Sequence, residues 1–269
     1  MLIGINTFGI HHRVRCAVRP LDACVHAFPK HDFAMAEFLG TGPSLRAIPF
    51  GPGRKSAIEL LSSRQRSQIA RIATSLQYPP GKVIYREGSN AQSVFIIANG
   101  IVKLFRDLPS GKRPIMAFLF ADDVFGLGQN GHYVNSAQTI TPVTMYCIRV
   151  ATLADTLRHD AELAVQFLCK VTHELTGSLR HTVIVTRRDA LGRVTMFLRM
   201  LEQDSHRSQD STIEVPVSRL DAANYLGLSL EAVSRALSQL ERDGIIAFEG
   251  RRSVRVLDRT RFEKIAAAL

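Results

Sequence analysis

Residues 217–240 read VSRLDAANYLGLSLEAVSRALSQL, and this stretch decides how the C-terminal part of the chain folds. It predicts two short helices around a tight turn. A serine hydroxyl can accept an unpaired amide proton in the first turn of a helix, so Ser218 is predicted to cap the first helix and Ser229 the second. Gly227 lies between them, where the reversal requires a residue that tolerates a positive φ.

The second helix of this pair has two different faces. Its apolar residues, spaced three and four apart, are Val233, Ala236, Leu237 and Leu240. A second set with similar spacing is entirely polar: Glu231, Ser234, Arg235 and Ser238. A short helix with a buried stripe and a polar edge near its N-terminal end suits the major groove of DNA. We therefore predict a DNA-recognition helix, and the alternative is an ordinary helical hairpin with a solvated polar face.

The residues that follow this pair favour DNA binding over the alternative. Gly244 stands in the usual position after a helix. Residues 245–248 and 253–256 predict the two strands of a β-hairpin, and its tip carries Arg251 and Arg252, which can contact a phosphate backbone. The pattern predicts a winged helix-turn-helix. Further candidate contacts to the DNA backbone are Ser218, Ser229 and Ser238.

The composition is that of a globular protein with one large domain or two modest ones. The chain has 269 residues, of which 46% are hydrophobic and 22% charged, enough for packed cores. Its net charge of +10 fits a polyanionic partner. That charge is spread along the chain, because residues 187–269 contain 14 basic and 12 acidic residues. The placement of arginines therefore says more about DNA binding than the total.

Three further features of the sequence predict a cytoplasmic protein without a membrane anchor. No apolar run approaches the roughly 18 residues of a membrane span. The N-terminus begins apolar and becomes basic later, the reverse of a secretory signal. The four cysteines are loosely spaced, unlike a disulfide framework.

The first half of the chain predicts a flexible extension followed by a β-domain. Residues 1–57 contain glycine–proline turns without sustained periodicity, and Met35 is an alternative start. Apolar residues within 58–76 predict a helix or a helix pair. Short apolar runs then alternate with glycine-containing turns, at residues 83–85, 94–97, 101–105, 114–119 and 143–148. This alternation predicts a β-barrel or β-roll, which we assign to residues 58–158.

A long helix is predicted next, over residues 160–185. Its apolar stripe consists of Leu168, Val171, Leu175, Leu179, Thr182 and either Ile184 or Val185. Such a stripe is either monomer core or the seam of a two-stranded coiled coil, and we favour the seam because a single winged helix reads only one half-site. We assign residues 159–188 to a dimerisation helix and hinge, and 189–269, beginning with a helix over 189–203, to the DNA-binding domain.

This order of parts resembles the CRP/FNR family of transcription regulators, from about residue 60 to residue 257. Residues 80–88, PGKVIYREG, resemble the opening β-roll motif of that family. Residues 122–126, DDVFG, resemble its later Gly-Asp-x-x-Gly turn, with Asp122 in place of the first glycine. The resemblance implies an α+β fold with an N-terminal β-roll like that of cyclic-nucleotide-binding proteins, a long dimerisation helix and a C-terminal winged helix-turn-helix.

The recognition helix is similar to that of the FNR and FixK branch, because NYLGL at residues 224–228 is followed by Glu231, Ser234 and Arg235. The resemblance implies that these three residues read a TTGAT-type half-site that is repeated inverted. Arg235 would donate a bidentate pair to guanine, Glu231 would accept from a cytosine amino group, and Ser234 would contact a neighbouring base edge. Two half-sites about one helical turn apart require a homodimer. The alternatives are a first-turn charge for Glu231 and an i, i+4 ion pair between Glu231 and Arg235.

The same resemblance bears on the signal that is sensed. Cyclic-nucleotide-binding members carry Gly-Glu-Leu followed by Arg-Ser or Arg-Thr. Residues 125–137 contain neither glutamate nor arginine, so a cyclic phosphodiester would lack its counter-charge there, and cyclic AMP is not expected.

Iron–sulfur members use clustered N-terminal cysteines and one cysteine in the β-roll. Cys147 falls where that β-roll ligand would be, but only Cys16 and Cys24 precede the barrel. A histidine such as His26 would have to complete the four ligands of a cluster. The simpler expectation is that Cys147 is a small buried hydrophobic residue.

We therefore expect no resident cofactor and a FixK-like regulator, an activator of genes for microaerobic respiration, denitrification or nitrogen fixation that is controlled by its own abundance. The hairpin at residues 107–113 is a candidate contact for RNA polymerase, and the alternative is a simple solvated turn. The alternative keeps the fold and makes the protein a sensor gated by an iron–sulfur cluster, haem, nitric oxide or a small molecule. The sequence lacks the G-x-S-x-G, H-E-x-x-H and Walker motifs, so we do not expect an enzyme.

Overall fold

The computed structural model describes residues 63–204 and 212–267 of the chain. In chain order, these residues form a β-roll, a long helix, and a helical unit with a small β-sheet. The predicted extension over residues 1–57 lies outside the described residues, and with it Cys16, Cys24 and His26.

The β-roll consists of one helix and eight strands. They are α1 Ser63–Ile72, β1 Thr74–Tyr78, β2 Val83–Tyr85, β3 Ser93–Asn99, β4 Val102–Phe105, β5 Ile115–Leu119, β6 Val124–Phe125, β7 Ser136–Thr139 and β8 Val143–Arg149. They form two four-stranded antiparallel sheets, with the orders β1-β8-β3-β6 and β2-β7-β4-β5. The predicted β-roll is confirmed.

Three details of the β-roll differ from the prediction. Leu76 was assigned to a helix and instead lies in β1, where it pairs with Met145 of β8. Strand β6 was not predicted, because its two residues are too few to show the two-residue alternation of a strand. Strand β7 is mostly polar, and its buried hydroxyls are satisfied by hydrogen bonds: the Glu87 amide donates to Ser136 Oγ at 3.0 Å, and the Lys82 amide donates to Thr139 Oγ1 at 2.9 Å. Because these buried residues are polar, the strand shows no apolar periodicity in the sequence and was not predicted.

The turn at Asp122 follows the family pattern in conformation although it departs from it in sequence. Asp122 adopts a φ of +71°, the left-handed region that glycine normally occupies. Aspartate is among the few other residues that are enriched there. Asp122 can therefore occupy the position that the resembled motif gives to glycine.

The long helix has a short helix before it. Helix α2 covers Val150–His159 and was not predicted, and α3 covers Ala161–Thr186, one residue later at each end than the prediction. Asp160 separates the two helices and caps α3, because its carboxylate accepts a hydrogen bond from the Leu163 amide at 2.9 Å.

The C-terminal unit comprises four helices and three strands. They are α4 Ala190–Asp204, β9 Thr212–Glu214, α5 Arg219–Leu226, α6 Leu230–Arg242, β10 Ile246–Phe248, β11 Ser253–Val256 and α7 Arg259–Ala267. The predicted hairpin of β10 and β11 is confirmed, and β9, which was not predicted, extends it to a three-stranded sheet. Among the described residues, no helix combines the length and the apolar character needed to span a bilayer.

Candidate nucleic-acid interface

The helix pair α5–α6 has the caps that the sequence predicts. The Asp221 amide donates to Ser218 Oγ at 3.0 Å, and the Ala232 amide donates to Ser229 Oγ at 3.1 Å. Gly227 has a φ of +62° and ends α5 in the left-handed conformation. A hydroxyl that accepts an amide proton keeps its own proton, so Ser218 remains able to donate to a phosphate, whereas Ser229 donates its proton to the Glu231 carboxylate.

Helix α6 presents its two faces as predicted. Val233, Ala236 and Leu240 are buried, with at most 4% of each residue exposed, and Leu237, the fourth member of the predicted apolar face, is half-buried. On the polar edge, three residues are exposed and one is half-buried: Glu231, Arg235 and Ser238 are the exposed ones, and Ser234 is the fourth. The residues predicted to touch bases therefore point away from the core, which is what insertion into a groove requires.

The charges on this edge suit base recognition. The pKa of Glu231 lies below its ordinary value because its carboxylate accepts from its own backbone amide and from Ser229, and the guanidinium of Arg235 adds to the effect. Glu231 is therefore an acceptor at neutral pH. Within the described ranges, no hydrogen bond or ion pair within 4 Å involves Arg235, although its charge lies near enough to Glu231 to lower the pKa of that carboxyl. The fork of donors on Arg235 is available to a base.

The hairpin of β10 and β11 carries its arginines at an exposed tip. Arg251 and Arg252 are both exposed, beside Gly250 with a φ of +80°. An ion pair at 2.5 Å between Arg255 Nη2 and Glu249 Oε1 joins the two strands just below the tip. The tip is thus anchored while its two guanidinium groups stay in solvent.

Arg219 is a further basic residue at this surface, and the sequence reading did not single it out. It is exposed at the start of α5, and its guanidinium carbon lies 5.9 Å from the centre of the Phe248 ring on β10. It therefore lies between the helix pair and the wing. No spacing rule in the sequence connects residue 219 with residue 248, and only the fold brings them together.

The stripe predicted on α3 is exposed. Leu168, Leu175 and Leu179 are 65%, 59% and 60% exposed. Thr182 is exposed as well, whereas Val171 is half-buried and lies beside the stripe. Val165 and Thr172 complete it, and the sequence reading missed them. Steps of three and four then alternate from residue 165 to residue 182, the repeat of a coiled-coil seam.

A cavity of about 690 Å³ lies between the β-roll and helices α3, α4 and α5. Its β-roll wall is uncharged and mainly apolar, and includes Tyr85, Leu104, Phe118, Phe125 and Asn135. Asn135 Oδ1 accepts a hydrogen bond from Tyr85 at 3.2 Å. This wall offers no cation to a cyclic phosphodiester, and the two arginines that line the cavity, Arg180 and Arg199, belong to α3 and α4.

Cys147 lies on β8, half-buried against the apolar core of the β-roll. Where the structure describes the chain, no three His, Cys, Asp or Glu residues group closely enough to hold a metal ion. Cys16 and Cys24 fall outside this part, so the expectations about an iron–sulfur cluster stay predictions.

Two family models match the chain. The Crp-like helix-turn-helix domain matches residues 192–265, and the cyclic nucleotide-binding domain matches residues 75–160. The first covers the helix pair and its wing, and the second covers most of the β-roll.

Similar proteins point to the same kind of regulator. The transcriptional activatory protein AadR of Rhodopseudomonas palustris is 30% identical over 212 residues, which cover 77% of this chain and 87% of AadR. The nitrogen fixation regulation protein FixK of Bradyrhizobium diazoefficiens is 29% identical over 222 residues, 80% of this chain and 92% of FixK. The solved structure of FixK2 from Bradyrhizobium japonicum has a TM-score of 0.68 and 31% identity, and covers 74% of this chain and 99% of that one.

Proposed function

The chain belongs to the CRP/FNR family of transcription regulators, and from that premise we propose that it binds an inverted repeat of TTGAT-type half-sites as a homodimer. It is a FixK-like regulator with a helix-turn-helix DNA-binding domain. The observation that carries the proposal is the outward polar edge of α6, on the side opposite its buried stripe.

The chemistry of this edge matches the bases of the proposed half-site. Arg235 donates two hydrogen bonds to the O6 and N7 atoms of guanine, and the ionised Glu231 accepts from the amino group of cytosine. Ser234 contacts a neighbouring base edge. Contacts to phosphates come from a second set of residues: Ser218, Ser229, Ser238, Arg251 and Arg252.

The exposed stripe of α3 supports a second copy of the chain as its partner. Large leucine side chains at 59% to 65% exposure are costly in water unless another surface covers them. Their alternating three- and four-residue steps match a second identical helix, whose own stripe is covered by the same contact. The twofold axis of such a pair reproduces the symmetry of an inverted repeat.

We propose that the protein has no resident cofactor, no response to cyclic AMP and no enzymatic activity. It acts in the cytoplasm and activates genes of microaerobic respiration, denitrification or nitrogen fixation. RNA polymerase is the proposed partner of the hairpin between β4 and β5. There Arg113 Nε and Asp107 Oδ1 form an ion pair at 2.6 Å in which both side chains are about half exposed.

A second candidate function is a sensor gated by a small molecule, which the cavity of about 690 Å³ favours.

The test combines anaerobic purification, absorption spectroscopy and iron analysis with footprinting on a TTGAT palindrome. We expect colourless, iron-free protein that protects both half-sites symmetrically with no added effector. Protection that requires a ligand, or a coloured protein, would favour the sensor. Protection of no TTGAT-type site under any of these conditions would refute the proposed DNA target.

A further inference from the structure

Helix α5, the first helix of the DNA-binding pair, is held by three elements outside the C-terminal unit. Strand β4 contributes Lys103, strand β5 contributes Phe118, and helix α3 contributes His181. We call these three residues and their partners on α5, Asp221 and Tyr225, the α5 clamp. None of the base-reading residues of α6 belongs to it.

The polar contact of the clamp is an ion pair between the β-roll and α5. Lys103 Nζ lies 2.7 Å from Asp221 Oδ1, and the two side chains are only 12% and 18% exposed. A pair so far removed from solvent is screened less by salt than a surface pair, and removing either partner leaves the other poorly compensated. The contact therefore restrains the start of α5.

The aromatic contact of the clamp centres on Tyr225. The ring of Phe118 lies 4.9 Å from that of Tyr225 and 5.9 Å from that of Phe197 on α4. All three side chains are buried, and Phe105 and Ile115 of the β-roll share the apolar core of the C-terminal unit with them. The β-roll and the end of α5 thus pack as one core.

The third contact attaches α5 to α3. His181 Nε2 lies 2.7 Å from the carbonyl oxygen of Tyr225, and its ring stacks on the Tyr225 ring at 4.0 Å. Burial lowers the pKa of His181, so the ring is neutral at pH 7 and donates its Nε2 proton to that carbonyl. Because α3 carries the exposed stripe, this contact connects the DNA-binding pair directly to the helix proposed as the dimer seam.

The position of α5 sets the position of α6. Only residues 227–229 separate the two helices, and the amide of Leu228 donates to the Ala223 carbonyl across that turn at 3.0 Å. Arg193 reinforces the turn from α4, because its Nη1 donates to the Leu226 carbonyl at 2.9 Å while its Nε donates to the Arg187 carbonyl at 2.7 Å. These hydrogen bonds fix the turn between α5 and α6, so a shift of α5 also shifts the start of α6.

We infer that the α5 clamp positions the recognition helix relative to the dimer helix and thereby selects the spacing between half-sites. Lys103, Asp221 and Phe118 are positioning residues, because they act on DNA only through α5. This inference rests on the proposed homodimer, in which two recognition helices must reach grooves about one helical turn apart. A rigid attachment restricts binding to one spacing, and a loosened one tolerates several.

The test uses full-length protein and fluorescent duplexes. These contain two inverted TTGAT half-sites at the optimal spacing, the same half-sites moved apart or together by one and two base pairs, and a single half-site. Lys103→Met and Asp221→Asn each remove one side of the ion pair. We expect each to weaken binding at the optimal spacing about fivefold, to reduce the penalty for altered spacing, and to affect the single half-site much less. The double variant should be no weaker than either single variant, since both remove one interaction.

The two substitutions separate positioning from simple electrostatics. Lys103→Met removes a positive charge and by electrostatics alone would weaken DNA binding, whereas Asp221→Asn removes a negative charge and would strengthen it. The clamp predicts that both weaken it. Arg158→Met is the matched control, because it removes an exposed ion pair with Asp155 on α2, away from α5. Unfolding midpoints and hydrogen exchange of α5 show whether each variant is folded.

The outcomes are distinct. Effects of opposite sign in the two variants, an unchanged spacing profile, or tighter binding by both would each overturn the positioning role. If Asp221→Asn does not fold, Lys103→Met alone decides, through its spacing profile. If the unaltered protein binds a single half-site as tightly as the palindrome, the homodimer proposal fails first, and the inference fails with it. If the unaltered protein has a spacing optimum and both clamp variants keep it, the positioning role of the clamp is refuted and the homodimer proposal stands.

Discussion

Helices α6 and α3 both carry an apolar stripe of three- and four-residue steps, but the stripe of α6 is buried and the stripe of α3 is exposed. On α6, Val233 and Leu240 are 1% and 0% exposed. On α3, Leu175 and Leu179 are 59% and 60% exposed. Periodicity alone does not distinguish these helices, because it records only that a stripe must be covered and not what covers it.

The difference follows from what each helix packs against. Helix α6 lies against α4 and α5, and its stripe belongs to the core of the C-terminal unit. Helix α3 buries only Leu163 and Ile184 near its two ends among its large apolar side chains. The stripe in its middle, Leu168, Leu175 and Leu179, stays exposed in the described part of the chain, and a second copy is the proposed cover. The stripe of α6 therefore contributes to folding, and under the proposed homodimer that of α3 contributes to assembly.

The largest expected effect is the loss of the dimer in Leu175→Asp. A carboxylate in the middle of an apolar seam is costly to bury, and two copies of it face each other. We expect monomers in light scattering and at least a hundredfold weaker palindrome binding, since the second half-site is no longer engaged by the same particle. Leu108→Asp, at another exposed leucine, is the control and should remain dimeric. A dimeric Leu175→Asp would show that the stripe is covered by something else.

The next effect is a loss of stability in Leu240→Ala. Leu240 is completely buried by its own chain, so the substitution should lower the free energy of unfolding by about 2–5 kcal/mol. Leu220→Ala, at a residue that is 57% exposed on α5, should change it by less than about 0.5 kcal/mol. Denaturant titration measures both. Equal losses in the two variants would mean that α6 is not packed as described.

A smaller effect is expected for Arg235→Ala, which tests the polar edge of α6. Without its bidentate donors, the discrimination at one base pair of the half-site should fall by about 1–3 kcal/mol, and other positions should keep theirs. Arg242→Ala, at the exposed end of the same helix, serves as the control. Competition binding against single-base variants of the site measures the change. An unaltered preference at every base would contradict the role of α6 in recognition.

The smallest effect is expected for Arg251→Ala in the wing. One phosphate contact is lost, so all sequences should be bound more weakly by less than about 1 kcal/mol, and the slope of log affinity against log salt should fall by about 1. A salt titration on specific and non-specific duplexes checks this. Weakening confined to one base position would place Arg251 in the groove and not on the backbone.

Local patterns were sufficient for the elements with local causes. The capping serines 218 and 229, Gly227 and the buried stripe of α6 depend on residues within a few positions of one another, and all were predicted correctly. Elements whose stability comes from distant partners were missed. Strand β9 is held by its pairing with β11 and by the burial of Ile213 in the core of the C-terminal unit, and the polar strand β7 by its place between β2 and β4. A strand could not be predicted from either short segment alone.

The amino-acid sequence by itself determined the order of the parts, the two faces of α6 and which polar residues lie on its outward edge, because helix periodicity, capping and side-chain chemistry are local properties. Only the tertiary structure decided that the α3 stripe stays exposed and that Lys103 meets Asp221, 118 positions away. Contacts over such separations depend on how whole sheets and helices pack, and no periodicity within either segment encodes them.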